Sequence, residues 1–142
     1  MCTSGAQVAR AGLGDTDGVP YTIFRQAELE WEPRGDDDPR SIARLSGALH
    51  ESRANLWRYP AGARGKRHAD HAQEEVFVVL EGTLTVDLGE PPRREVVERG
   101  GVLVVARGTA LQVRNEGAED LVLFIYGAPP VKSEVERFPD LP

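Results

Sequence analysis

Residues 67–82 read RHADHAQEEVFVVLEG. The first half crowds His68, Asp70, His71, Glu74 and Glu75 together, and the second half is valine, phenylalanine and leucine. Two foldings of this stretch lead to different chemistry. In a strand, residues two apart share a face, so His68 and Asp70 point one way and His71 the other. In a helix, positions 68, 71 and 75 share a face instead, giving His-x-x-His-x-x-x-Glu, and KRHADHAQEE has the propensity to allow it. The neighbouring text favours strands, with the helical set including His71 kept as the minority alternative.

That text is a series of short segments rich in Val, Leu and aromatics: NLWRY (55–59), VFVVLEG (76–82), TLTVDL (83–88), REVVE (94–98), VLVVA (102–106), LQVRN (111–115) and LVLFIY (121–126). GEPP, RGG, RGT and EGAED separate them, all with turn chemistry. Many short strands at this spacing point to a sandwich or barrel. Connections this short leave no room for crossover helices, so the pairing is expected to be antiparallel. Upstream, YTIF (21–24) reads as a first strand. Asp38-Pro39 resembles a helix cap and first helical residue, which predicts one short helix near 39–49 with Ile42, Leu45 and Leu49 on a stripe. IARLS (42–46) within it also reads as a strand. Residues 1–20 are Gly- and Ala-rich without a period and are expected to form a flexible arm, leaving 21–142 as one domain.

Composition narrows the function classes. A length of 142 residues suits a single domain. The net charge of −6 argues against a general nucleic-acid binder, because phosphate contact is dominated by Lys and Arg. The longest apolar runs, such as Val76–Leu80, are strand-sized and far below the roughly 20 residues of a membrane helix. The first residues lack a signal-peptide pattern, so the expectation is cytoplasmic. The single cysteine, Cys2, rules out an internal disulfide and has no activating partner in the sequence.

Two spaced patterns then stand out together. Gly62 is followed by five residues and His68, then Asp70, Glu75 and, six residues later, Gly82. Further on, Gly100, Gly108 and Asn115 fall at a second set of intervals, with Ala106 and Leu111 between them. Both patterns resemble the two motifs of the cupin superfamily, over roughly residues 55–126. The resemblance implies an all-β fold, a single antiparallel β-barrel of jelly-roll type, and homodimerisation. Members of that superfamily typically hold a metal through three His and one Glu. Here Asp70 stands for one His, Leu111 for another, and Ala106 for a Pro.

If the family geometry holds, His68, Asp70 and Glu75 point into the barrel with Phe77 and Val79, and Leu111 faces them. Two inward carboxylates require a positive companion or a shared proton, since burying a charge retains a cost of several kcal/mol. One nitrogen and several oxygens suit Mn, Mg or Fe(II) better than a structural zinc. The alternative companion is basic. Arg53, Arg58, Arg64, Lys66 and Arg67 are five cations in a stretch without an acid, and Arg64 and Lys66 share the parity of His68 and Asp70. Trp57 and Tyr126 are candidates for the pocket wall.

Three functions compete. The favoured one is a small-molecule-binding cupin with a degenerate, weak divalent-metal site lined by Arg64, Lys66, Phe77, Leu111, Trp57 and Tyr126. The alternative is a metal-dependent oxygenase, isomerase or lyase acting on a small, anionic substrate. The third is a structural or partner-binding protein whose interior is filled by side chains. No catalytic residue is assigned.

Overall fold

The computed structural model describes residues 20–130 and 134–142. The expected arm, apart from Pro20, lies outside the described residues. The chain forms β1 (Glu32–Gly35), β2 (Asp38–Arg44), β3 (Arg53–Tyr59), β4 (His68–Asp70), β5 (Glu74–Glu81), β6 (Leu84–Leu88), β7 (Arg93–Val97), β8 (Val102–Val105), β9 (Leu111–Arg114), β10 (Leu121–Ala128) and β11 (Val135–Arg137). Among the described residues the only helical turns are 3-10, at Gln26–Glu28 and Ser46–Ala48. No helix among them is long and apolar enough to cross a membrane.

The strands build two antiparallel sheets. One runs β1-β2-β3-β10-β5-β8 and the other β11-β4-β9-β6-β7. The expected antiparallel, all-β barrel is therefore what the chain forms, and the seven apolar segments read from Asn55 onward each become a strand.

The predicted helix near 39–49 is instead β2 as far as Arg44, followed by the 3-10 turn Ser46–Ala48. Ile42 pairs with Trp57 and Ala43 with Leu56, and both residues are buried although they face opposite sides of the sheet. Burial on both faces of one sheet outweighs the local cap signal, since propensity is a weak prior beside tertiary packing. YTIF contributes only one bridge residue, Ile23, while β1 and β11 carry too little apolar patterning to be read.

The core lies between the sheets. Phe77, Val79, Leu121, Leu123 and Ile125 enter it from the first sheet, and Leu84, Val86, Leu111 and Val113 from the second. Each fully buried Leu, Val or Phe contributes about 1.5–3 kcal/mol. Gly82 turns the chain between β5 and β6. Its φ is +77°, and a Cβ there would stand 2.5 Å from the Asp120 carbonyl, so only glycine fits.

Part of the outer face of the second sheet is also covered. Segment 138–141 runs across it: Phe138 N–H donates to Arg67 O, Asp140 Oδ1 accepts from Arg67 N–H, and Leu141 N–H donates to Gln112 Oε1. The Leu141 carbonyl in turn accepts from Arg64 at 2.6 Å and Arg114 at 3.1 Å. Asn115 fastens the end of β9, donating to the Tyr59 and Glu119 carbonyls and accepting from Gly117 N–H. Asn115 thus caps the turn after β9 and ties it to β3.

Candidate functional site

Strand register carries the polar side chains into the barrel. Across three adjacent strands Arg53, Gly127 and Glu75 form one row, with Val105 next to Glu75. His68 opposes Leu111 in the facing sheet. Since Leu111 belongs to the core, alternation puts His68 and Asp70 on the inward side of β4. His68, Asp70 and Glu75 thus share the interior as the strand reading expects, with Phe77 and Leu111 as apolar neighbours in the core. The segment 68–75 is strand, turn and strand rather than helix. His71 accordingly points out and pairs with Glu136 at 2.8 Å, which removes it from the site.

The two acids are neutralised by different means. Asp70 is 6% exposed, and its Oδ1 accepts the backbone N–H groups of Ala72 at 2.9 Å and Gln73 at 3.2 Å. Glu75, also 6% exposed, receives Arg53 Nη2 at 3.1 Å. Arg53 is itself held, because its Nε donates to Gln73 Oε1 at 2.7 Å while Gln73 Nε2 donates to the Pro129 carbonyl. Burial pushes the Glu75 carboxyl above its ordinary range; the Arg53 and His68 charges oppose the rise and Asp70 adds to it. His68 Nδ1 lies 2.9 Å from the Lys66 carbonyl and donates to it.

The expected basic companions, Arg64 and Lys66, are elsewhere. Arg64 donates to Leu141 O, and both side chains are exposed. They line a cleft of about 370 Å³ at the barrel rim with Arg34, Arg40 and residues 35–39 of the β1–β2 hairpin. Arg40 forms its rigid wall: a two-point ion pair to Asp38 at 2.9 and 2.7 Å, a bond to the Tyr59 hydroxyl, and a position 4.9 Å from the Trp57 ring. The Arg40 hydrogen bond holds the Asp38 carboxyl below its usual range. Arg34 lies over the same indole at 5.2 Å. Trp57 is thus a half-buried shelf between the core and two guanidinium groups. Tyr126 pairs with Ala54 and Val76, opposite in parity to buried Ile125, and lies on the outer face of its sheet rather than in a pocket.

Sequence reasoning counted Arg53 among five cations without assigning it to Glu75, and did not single out Gln73, which holds the Arg53 head. The available signal was Gly127, a glycine within the apolar run LVLFIYGA, which marks a close approach over the strand. A Cβ there would meet Gln73 Oε1 at 3.1 Å and Arg53 Cζ at 3.4 Å.

The interior donors do not fit a resident divalent ion. Among the described residues no three His, Cys, Asp or Glu side chains converge as such an ion requires. Asp70 Oδ1 is committed to two amides and Glu75 to a guanidinium. A cation approaching Glu75 also meets Arg53, and like charges about 4 Å apart repel by roughly 4 kcal/mol per unit charge product at an effective dielectric near 20. Arg53 is one-third exposed, so solvent screens part of this.

The fold and the motif residues define one class. The chain belongs to the cupin family, the family model for the cupin domain matching residues 55–126. It is similar to a cupin-superfamily sugar phosphate isomerase from Silicibacter pomeroyi, at 21% identity and a TM-score of 0.70, over 82% of this chain and 81% of that one. A predicted oxalate decarboxylase from Thermotoga maritima is similar at 20% identity and 0.65, over 74% and 96%. An oxalate decarboxylase from Lactobacillus farciminis is similar at 16% and 0.68, over 85% and 37%. At these identities the likeness is one of fold. Among curated proteins none matches the sequence significantly.

Proposed function

We propose that the protein is a small-molecule-binding cupin that receives its ligand in the rim cleft between the β1–β2 hairpin and residues 64–66. The observation that carries this reading is the charge of the lining. Among the described residues Arg34, Arg64 and Lys66 have no carboxylate within ion-pair distance, whereas Arg40 is clamped to Asp38. Asp36 and Asp37 complete the wall. Three cations without an ion pair and two acids suit a small polar molecule with an anionic group and hydroxyls to donate to the aspartates. No divalent ion and no reaction step is assigned to the interior acids.

Calorimetric titration with sugar phosphates, short dicarboxylates and inorganic phosphate tests the reading. An organic anion is expected to bind, and Arg34→Ala with Lys66→Ala is expected to weaken it at least tenfold. Equal affinity of the double variant and the parent for every anion that binds would remove the cleft as the site.

The protein is also proposed to pair with a second copy through the outer face of the six-stranded sheet. β5 is apolar on both sides: Phe77 and Val79 face the core, while Val76, Val78 and Leu80 face outward beside Val102 and Val104 of the edge strand β8. Leu80, Val102 and Val104 are 42%, 56% and 67% exposed, a grouping that favours association.

A further inference from the structure

We propose that Arg53 is the built-in counter-ion of the barrel interior, and that it is the residue that excludes divalent cations from His68, Asp70 and Glu75. This goes beyond the cleft reading and stands independently of it.

The seat of the guanidinium is a constructed one. Gly127 lies between Arg53 and Glu75 in the cross-strand row, and its missing side chain lets the Arg53 head lie flat across β10 toward the acid. Gln73, 1% exposed, fixes the head from the other side through Arg53 Nε, and is itself anchored to the Pro129 carbonyl. Three groups with no apolar function of their own therefore aim one cation at one carboxylate. An exposed surface pair needs no such support, and side-chain entropy opposes holding an arginine this way unless packing fixes it.

The arrangement satisfies the charge requirement of a buried acid without an exchangeable ion. A metal can leave, and can be replaced by another metal, whereas a guanidinium is covalently tethered and keeps its charge at any physiological pH. Asp70 needs no second cation, because two backbone amides already stabilise its charge. The interior is thus electrically complete, and a divalent ion enters only by displacing Arg53 from Glu75. Removing the guanidinium is expected to leave Glu75 a buried charge without its counter-ion, and so to open the interior to a cation.

The test is titration of the full chain with Co²⁺ and Mn²⁺, following heat and, for Co²⁺, the visible absorption of the coordinated ion. Arg53→Met keeps the stem and removes the charge, and is expected to bind at least tenfold more tightly than the parent. Arg53→Lys restores the charge and is expected to return affinity toward the parent. Adding Glu75→Gln to Arg53→Met is expected to abolish the gain. Gly127→Ala gives a second route, because its methyl crowds Gln73 Oε1 and Arg53 Cζ and displaces the head without deleting it. It is expected to raise affinity as well, and it decides the question if Arg53→Met does not fold. Metal affinity that is unchanged in both folded variants, or that is already tight in the parent, would overturn the proposal.

Discussion

Arg114 Nε donates to Asp87 Oδ2 at 2.6 Å on the face of the second sheet turned away from the barrel, and both side chains are nearly sealed from solvent. Arg94 completes the group from β7, at 2.9 Å to Asp87 Oδ1. The hydrogen bonds from Arg94 and then Arg114 hold the Asp87 carboxyl below its ordinary range. A carboxyl lowered in the folded state stabilises the fold above its unfolded pKa, and that contribution is lost as pH falls through the folded value.

Asp87→Asn leaves Arg114 buried without a counter-charge and is expected to cost about 3–5 kcal/mol at neutral pH. Urea unfolding from pH 7 downward checks this. The deficit should be full near neutrality and shrink below the ordinary value of 3.8 as the parent acid protonates. A deficit of constant size across that range would mean that the charge is not what Asp87 contributes.

Glu75 predicts the opposite slope. Its carboxyl is raised by burial from an ordinary value of 4.5, so the folded state binds the proton more readily than the unfolded one. Stability from this group is therefore present at low pH and declines as pH rises through the window above 4.5. Glu75→Gln, which cannot ionise, should gain on the parent in thermal midpoint over that window. A parent that instead gains on the variant with rising pH would show that Arg53 overcompensates the burial of the acid.

Val104→Lys tests self-association. The residue is 67% exposed at the sheet edge, so the change should leave the monomer fold within about 0.5 kcal/mol of the parent. Light scattering during size exclusion should report a dimer for the parent and a monomer for the variant. A parent that runs as a monomer at high concentration would end the pairing proposal.

The barrel was legible because its strands carry the signal on their own residues. Val76–Leu80 and Leu121–Tyr126 are apolar, short and bounded by glycine turns, and no alternative element hides that. β2 was less legible because Asp38-Pro39 imitates a helix start, and only its place between β1 and β3 decides otherwise. Within the site, the inward direction of His68, Asp70 and Glu75 followed from parity, which is local. The partner of Glu75 did not. Arg53 is 22 positions away in the chain and reaches the acid across a third strand, so their meeting depends on a register that no local pattern contains. Arg64 and Lys66 had the expected parity but face the rim and the 138–141 segment, where hydrogen bonds to Leu141 and open solvent compete for them.

Asn115 holds one last implication. Its side-chain amide knots β3, β9 and the following turn together, while Leu111, which stands where the motif usually has a His, is buried in the core. Architecture and reactivity are thus carried by separate letters of one signature. A chain can spell the first in full and leave the second blank, and recognising the signature tells a biochemist which vessel has been built before anything is known of its contents.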